Sequence, residues 1–464
     1  MLRPLIKSTS EYTASVANRP APQPSEQLLE ELFDYIRIPS ISSGGGDPTD
    51  LLAAAEWLQD KITRSDGSAS VVTELGNPLV VGELRASDPM APTVLIYGHY
   101  DVQSPDPVDA WTSPPFAPEV RAGRIYARGA SDDKGNFYPL LYVACELAKA
   151  DRLPVNVRCL VEGEEEVGGT SAMDWVAADE QGADCAVVFD SDMLDASTPA
   201  LTTGVRGMIS FSVDVRCAQR DLHSGMYGGV ALNAVHVLHQ ILGQVLPGPD
   251  GMLRDELREG IVPPTKEELE AWSQFAPGTQ LIAEAGGRPI NDEAALHFYE
   301  RNWSDASLDV NGVAGGDAVQ KRTIIPATAS AKFSIRLAPG QSAEKIGRVT
   351  EELIRAAAPG SADVDIVWEG VDAAAFDPKH PALLLAAGAL EDTCGVKTAL
   401  QRVGGSIPVL KSFYDRGIAT ILSGFALADD SIHAVDESFR LTSLGLGEVA
   451  SYKLYEKLAA LPSG

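Results

Sequence analysis

Continuous apolar runs alternate with amphipathic stretches over the first part of the chain. TVLIYGH (93–99), VNVRCLVEG (155–163) and CAVVF (185–189) are apolar almost throughout, which predicts buried strands. Between them, NFYPLLYVACELAKA (136–150) and SAMDWVAA (171–178) have the apolar spacing of helices. This alternation predicts a mostly parallel α/β sheet with both faces covered.

The pattern changes after Arg206, where apolar and polar residues alternate one by one. Such alternation in MISFSVDV (208–215) and SAKFSIRL (330–337) predicts strands with one exposed face. Helical spacing follows in ALNAVHVLHQILGQVL (231–246) and SAEKIGRVTEELIRAAA (342–358), and a further alternating strand comes last. The order β-α-β-α-β predicts a ferredoxin-like α+β sheet with two helices on one side.

The continuous apolar pattern returns towards the end of the chain, for example in GIATILSGF (417–425). The alternating region therefore interrupts the first one, which predicts an inserted domain. A chain of 464 residues is also longer than a single core usually supports. We expect a mostly parallel α/β main domain built from residues 1–207 and 379–464, with an inserted α+β domain over residues 208–378.

Composition excludes some classes of partner and indicates a compartment. Lys and Arg number 37 against 65 Asp and Glu, so the formal net charge is -28. Such a chain repels phosphate backbones and anionic membranes, and we expect neither nucleic acid nor a membrane as partner. The five cysteines are scattered without a CxxC motif, and the first residues lack the apolar core of a signal peptide. These features predict a cytoplasmic protein with reduced thiols.

Carboxylates and imidazoles follow the predicted strands of the main domain, where α/β proteins bind ligands. The groups in question are His99 and Asp101; Asp132 and Asp133; Glu164, Glu165 and Glu166; Asp190 and Asp192; and Asp429, Asp430 and His433. Oxygen and imidazole donors without thiolates suit zinc, manganese or cobalt, and a bridging carboxylate would allow two ions. The pattern therefore predicts a metal centre.

Spacing within these groups suggests different tasks for neighbouring side chains. In an extended segment adjacent side chains point opposite ways, so one glutamate of 164–166 can bind metal while its neighbour faces a substrate as a base. His99 and Asp101 would lie on the same side, and Asp101 could then accept the imidazole N–H. Isolated histidines are more often packing or surface residues, and we assign no role to His236, His239 or His297.

Eight motifs occur in an order that resembles a known superfamily. They are GHYDV (98–102), ARGASDDKG (127–135), EGEEEVGG (162–169), FDSD (189–192), DLHSGMYGG (221–229), KFSIRL (332–337), GGSIP (404–408) and DDSIHAVDE (429–437). From about Ser25 to its end, the chain resembles the aminoacylase/carnosinase superfamily of two-metal peptidases. The resemblance is strongest to the dipeptidase branch, which includes carnosine and Cys-Gly dipeptidases. It implies a metallopeptidase catalytic domain and an inserted lid and dimerisation domain.

The resemblance also implies a ligand set for two divalent ions in each subunit, zinc first, with manganese or cobalt as alternatives. His99 and Asp192 would bind one ion, and Glu166 and His433 the other. Asp132 would bridge both and precede a cis peptide bond. Of the two aspartates after CAVVF, Asp192 matches the family and Asp190 is assigned to structure.

The implied reaction is hydrolysis of the amide bond of dipeptides that carry a free C-terminal carboxylate. Glu165 would be the general base that deprotonates a metal-bridging water and passes the proton to the leaving amine. His223 resembles a histidine that stabilises the oxyanion in the neighbouring subunit's site. That role implies a homodimer joined through the lid domains.

Substrate contacts are implied for a further set of residues: Asn233, Arg336, Gly404, Gly405 and Ser406. Arg336 resembles an arginine that binds the substrate's C-terminal carboxylate, a task suited to guanidinium. The Gly-Gly-Ser run would offer backbone N–H groups and a hydroxyl to the same carboxylate. Val403 departs from the family, where many dipeptidases have glutamate, so this chain has no carboxylate at that position to recognise the substrate amine.

Two other functions are compatible with the motifs. One is deacylation of N-acetyl-, N-succinyl- or carbamoyl-type amide substrates within the same superfamily. The other is a catalytically silent binding or scaffold protein. The silent alternative is disfavoured because every expected ligand and the base are present in the sequence.

Overall fold

The computed structural model describes residues 22–317, 319–404 and 407–462. None of the helices in these ranges is both long and apolar enough to cross a membrane. The helices are α1 (Glu26–Ile36), α2 (Pro48–Thr63), α3 (Lys134–Lys149), α4 (Ser171–Ala178), α5 (Ser224–Tyr227), α6 (Ala234–Val245), α7 (Lys266–Trp272), α8 (Gly278–Glu284), α9 (Asp292–Leu296), α10 (Phe298–Ser304), α11 (Ala343–Ala357), α12 (Pro381–Cys394), α13 (Val409–Asp415) and α14 (Leu441–Leu458).

Strands and short 3-10 turns separate these helices. The strands are β1 (Ser68–Val72), β2 (Leu79–Leu84), β3 (Thr93–His99), β4 (Glu119–Arg121), β5 (Arg124–Tyr126), β6 (Asn156–Glu162), β7 (Cys185–Phe189), β8 (Ala200–Val205), β9 (Gly207–Arg216), β10 (Leu222–His223), β11 (Ser307–Gly315), β12 (Ile324–Ile325), β13 (Thr328–Leu337), β14 (Asp363–Val371), β15 (Ala374–Ala375), β16 (Ala399–Val403), β17 (Ala419–Ser423) and β18 (Ser438–Arg440). The 3-10 turns are Val108–Ala110, Glu165–Val167 and Asp255–Leu257.

Local sequence explains where several helices begin and end. Ser25 precedes α1 and its hydroxyl accepts the N–H of Leu28 at 3.3 Å. Asp47 precedes α2 and accepts the N–H of Thr49 at 2.9 Å, with a proline at the first helical position. Gly395 ends α12 with a φ of 75°, a conformation that glycine adopts without strain.

The chain divides into two compact units. Of the described residues, the first unit contains 22–203, 376–400 and 412–462, and the second contains those within 204–375 and 401–411. The inserted domain was expected over residues 208–378. The main segment of the second unit begins at residue 204 and ends at residue 375, which is four residues earlier at its start and three earlier at its end. The grouping of 401–411 with the second unit has no counterpart in the hydropathy pattern.

The first unit is built on the predicted sheet. Its strand order is β1-β2-β6-β3-β7-β17-β8. The central strands β6, β3, β7 and β17 run parallel, whereas β1, β2 and β8 pair antiparallel. Because the central strands are buried along their length, their residues are apolar almost throughout. The mostly parallel α/β fold is confirmed, and the carboxyl ends of the central strands meet at one edge.

The second unit is an antiparallel α+β layer with the strand order β11-β13-β9-β14. Helices α6 and α11 bury Leu238, Ile241 and Ile346 in a core with the strands. On that face Phe211 and Phe333, which are partners across β9 and β13, stack with centroids 4.8 Å apart. Strand β11 was not predicted, because its sequence SLDVNGVAG contains two glycines and breaks the alternation at a bulge.

Candidate metal centre and active site

The loops that follow the central strands carry the candidate ligands. His99 is the last residue of β3, Glu165 and Glu166 form the turn after β6, and Asp190 directly follows β7. Asp132 lies just before α3, and the predicted cis peptide bond between it and Asp133 is confirmed. His433 comes from the loop between β17 and β18 and has a φ of 59°, in the left-handed region.

These loops bring potential ligand atoms together in two groups. One contains His99, Asp132 and Asp190, and the other contains Asp132, Glu166 and His433, with the atoms of each group within 4.8 Å of one another. The Oδ1 of Asp132 lies 3.1 Å from the Nε2 of His99, and its Oδ2 lies 3.0 Å from the Nε2 of His433. The carboxylate of Asp132 thus presents one oxygen to each group, as a bridging ligand does.

The aspartate of the first group differs from the one expected. The motif resemblance implied Asp192 as the ligand and Asp190 as a structural residue, but it is Asp190 that lies with His99 and Asp132. Asp192 is exposed, belongs to neither group, and pairs through its backbone with Ala426. The geometry therefore favours Asp190 over Asp192 as the candidate ligand of this group.

The electrostatics of the two groups favour a bound cation. Hydrogen bonds with the carboxylates of Asp132 and Glu166 raise the pKa of His433 to about 10. Burial alone would lower the pKa of His99, yet the carboxylates of Asp101 and Asp132 raise it well above its usual range. Burial, together with nearby carboxylates, raises the pKa of Asp190. Donors of this kind, all nitrogen or oxygen, fit divalent zinc, manganese or cobalt.

Asp101 is placed to orient ligands, though in a different way from the one expected. It is the backbone carbonyl of Asp101 that lies 3.0 Å from the Nδ1 of His99, while the carboxylate oxygen is 3.5 Å away. The buried carboxylate accepts the backbone N–H groups of Glu165 and Glu166 at 3.3 and 3.2 Å. It therefore links the β3 loop to the β6 loop.

Glu165 lies next to a ligand without joining either group. Burial raises its pKa to about 7, and the carboxylates of Asp132 and Glu166 add to the effect while His99 opposes it. The segment is a 3-10 turn rather than the extended stretch expected from sequence. Glu164 is buried rather than solvated and accepts backbone N–H groups, including that of Ser171 at 2.7 Å.

Glu437, which sequence reasoning did not single out, holds the loop that carries Asp132. Its buried carboxylate accepts the backbone N–H groups of Gly129 at 3.0 Å, Ser131 at 2.9 Å and Asp132 at 3.1 Å. Its ion pair with Arg128 measures 2.7 Å. No sequence signal could have identified it beyond its place in DDSIHAVDE, because its partners are backbone groups.

Asp430 supports the same loop from a second point. Its buried carboxylate accepts the hydroxyl of Ser131 at 3.0 Å and the N–H of Leu427 at 2.9 Å, and it pairs with Arg124. Asp429 is exposed and contacts arginines at the surface. Both residues thus support the loop and belong to neither candidate ligand group.

The remaining predicted residues belong to the second unit. His223 is exposed, and its Nδ1 accepts the N–H of Gly225 at 3.1 Å. Asn233 caps α6 through its side-chain oxygen, which accepts the N–H of Val235 at 2.9 Å. Arg336 is half-buried on β13.

The Gly-Gly-Ser run is only partly described. Gly404 follows β16, and a Cβ at its position would lie 3.4 Å from the Nη2 of Arg206. Gly405 and Ser406 lie outside the described residues, so their assignment as substrate contacts stays a prediction.

Comparisons with known proteins agree with this arrangement. The sequence model of Peptidase family M20/M25/M40 matches residues 95–457. The chain is 27% identical to the Cys-Gly metallodipeptidase DUG1 of Saccharomyces cerevisiae, over 92% of this chain and 95% of that protein. It is 28% identical to the Beta-Ala-His dipeptidase of Homo sapiens, over 78% of this chain and 73% of that protein. The solved structure of the di-peptidase Dug1p from Saccharomyces cerevisiae superposes with a TM-score of 0.75 at 25% identity and covers 97% of each chain.

Proposed function

The chain belongs to peptidase family M20/M25/M40, and from this membership we propose that it is a metal-dependent dipeptidase. The observation that carries the proposal is the carboxylate of Asp132 between two ligand groups, with Glu165 beside them. The DUG1 and Beta-Ala-His dipeptidase relatives align with this chain over most of both sequences, and both are named as dipeptidases. The superfamily resemblance read from the motifs is confirmed at the level of the family.

We propose two divalent ions per subunit, with zinc as the first candidate and manganese or cobalt as alternatives. His99 and Asp190 would hold one ion, Glu166 and His433 the other, and Asp132 both. Bound ions of this kind acidify water and polarise a carbonyl oxygen. The nitrogen and oxygen donors suit any of the three metals.

Glu165 is proposed as the general base. A carboxylate with a pKa near neutrality can take a proton from the attacking water and return it to the leaving amine. Asp101 supports this role because its carboxylate binds the backbone of the turn that carries Glu165. Burial raises the pKa of this base towards neutrality.

Substrate binding is assigned to the second unit. Arg336 is proposed to bind the C-terminal carboxylate, because it is half-buried on β13 and no other described side chain forms an ion pair or hydrogen bond with its guanidinium. Asn233 would contact the substrate through its amide NH2, since its oxygen already caps α6. The Gly404, Gly405 and Ser406 run would add backbone donors.

A hydrolysis screen tests the proposed function. Purified protein is incubated with mixed dipeptides and N-acyl amino acids, with added zinc or manganese, and products are measured by mass spectrometry. We expect cleavage of dipeptides that a chelator abolishes and added metal restores. Cleavage of N-acyl amino acids alone would instead identify a deacylase, and the absence of any cleavage with metal bound would contradict both.

We further propose a homodimer in which His223 acts in the partner's site. The imidazole is exposed and anchored through Nδ1, which leaves Nε2 free to donate. Apolar side chains beside it are also exposed: Met226 by 71%, Tyr227 by 43% and Val230 by 83%. An exposed apolar surface next to a functional histidine is typical of an interface, and here the proposed occupant is a second copy of the chain.

Mixed dimers test this arrangement. His223→Ala and Glu165→Gln homodimers are each expected to be nearly inactive. Co-expression should restore about a quarter of wild-type activity, because half of the dimers are mixed and each has one complete site. Inactive mixtures in which native mass spectrometry detects mixed dimers would contradict the action of His223 in trans.

A cytoplasmic location is part of the proposal. All five cysteines are free thiols, and Cys145, Cys159 and Cys185 are buried. Free buried thiols are typical of proteins in reducing compartments, which supports the location.

A further inference from the structure

Two arginines lie side by side in the second unit. Arg336 on β13 is directly opposite Met208 on β9 and Ser307 on β11. Arg206 immediately precedes β9, and its Nη1 donates to the hydroxyl of Ser307 at 3.2 Å. The guanidinium of Arg206 therefore reaches the residue that faces Arg336 across the sheet.

Among the described residues, Arg206 has no carboxylate within ion-pair distance although it is buried. It is only 7% exposed, and its described hydrogen-bond partners are neutral: Ser307, and the side-chain oxygen of Asn302 at 3.3 Å. Its Nε has no hydrogen-bond partner among the described residues. Asp305 and Asp309 act on it only from beyond ion-pair distance, and Asp305 pairs with Arg258 at 2.9 Å.

Another buried arginine in the same unit shows what such a charge usually requires. Arg402 binds both carboxylate oxygens of Glu268, at 2.7 and 2.9 Å, and lies over the ring of Trp272. A buried charge without a counter-charge is costly, and a second arginine alongside adds to the cost. Burial and the charge of Arg336 lower the pKa of Arg206 to about 10, which leaves it cationic at neutral pH.

Gly404 lies beside the guanidinium of Arg206. The backbone N–H of Arg206 donates to the carbonyl of Val403 at 3.2 Å. A Cβ at Gly404 would lie 3.4 Å from the Nη2 of Arg206 and 3.6 Å from the oxygen of Asn302. Because glycine has no side chain, nothing from this residue covers the cation.

We propose that Arg206 and Arg336 form a two-arginine subsite for the substrate carboxylate, in which Arg206 sets the preference for a free carboxylate over a neutral amide. The inference rests on the proposed function and deepens it. The family resemblance supplied Arg336 alone. Arg206 adds a buried cation whose orientation is fixed by Asn302 and Ser307, and a carboxylate is the counter-charge that this pair lacks.

The test compares a dipeptide with its C-terminal amide. We expect the wild type to prefer the free dipeptide, and Arg206→Met to lower that preference, measured as the ratio of kcat/KM values, by about 10- to 100-fold. The loss should lie in KM for the free dipeptide, with KM for the amide little changed. Arg216→Met is the matched control, because Arg216 is an exposed arginine on β9 and its loss should leave the ratio unchanged.

A purely structural role for Arg206 predicts a different result. It would lower activity on both substrates equally, and an unchanged ratio would overturn the subsite. If Arg206→Met does not fold, Arg206→Lys and Asn302→Ala are used, and an unchanged ratio in both has the same meaning.

Calorimetric binding to the Glu165→Gln holoenzyme separates failure of the subsite from failure of the proposed function. A wild type that cleaves no dipeptide contradicts the dipeptidase proposal. Binding of dipeptide and amide with equal affinity to the Glu165→Gln protein overturns the subsite, whereas preferential binding of the dipeptide that Arg206→Met removes supports it.

Discussion

Replacing Glu165 with glutamine is expected to lower kcat by about 10²- to 10⁴-fold while the metal content stays unchanged. Glutamine has nearly the same shape but cannot take a proton from water. Because Glu165 belongs to neither ligand group, its replacement removes no ligand. Steady-state kinetics on a dipeptide measures kcat. Inductively coupled plasma mass spectrometry measures the metal content.

Glu164→Gln is the matched control for this variant. It removes a carboxylate one residue away whose two oxygens accept the backbone N–H groups of Asn77 and Ser171, and glutamine keeps only one of these two acceptors. We expect a lower melting temperature and kcat within about tenfold of the wild type. A Glu165→Gln enzyme that keeps comparable activity would exclude Glu165 as the base.

Replacing Asp190 with asparagine is expected to remove one metal ion and most of the activity. Asp190 completes the group that contains His99 and Asp132, and asparagine lacks the charge that offsets the cation. Loss of groups that merely orient ligands costs about 10- to 100-fold in metal affinity, so loss of a ligand should cost more. Titration of metal into protein that a chelator has first stripped of metal measures the affinity of each of the two sites.

Asp192→Asn serves as the paired control, since the chain offers a second aspartate two residues away. Its exposed side chain belongs to neither group, so we expect two ions per subunit and near-normal kcat/KM. If Asp192→Asn lost an ion and Asp190→Asn kept both, the original assignment from sequence would be restored and the structural one rejected.

The sequence pattern does not distinguish Asp190 from Asp192. Residues two apart in an extended segment point the same way, so hydropathy and alternation cannot choose between Asp190 and Asp192. The choice depends on the end of β7 at Phe189 and on the pairing of Asp192 with Ala426. Both features depend on contacts that are distant in sequence.

Most of the fold could be predicted because burial leaves a periodic signal. The central strands are covered on both faces and read as continuous apolar runs, whereas β9 and β13 alternate because one face is open. Strand β11 carries a weaker signal, and its pairing depends on β13 beside it. Glu437 could not be found, because a carboxylate that binds backbone N–H groups leaves no pattern in the residues it holds.

The hydrogen bonds from the Asp132 loop to Glu437 also bear on when the site can form during synthesis. Ser131 and Glu437 are separated by 306 positions, and His433 comes from the same late segment. A nascent chain that has not yet reached this segment contains His99, Asp132, Glu166 and Asp190, but nothing to clamp the loop or to complete the second group. We therefore expect the complete site to form only after this segment has been synthesised, and a product terminated before residue 433 to be inactive.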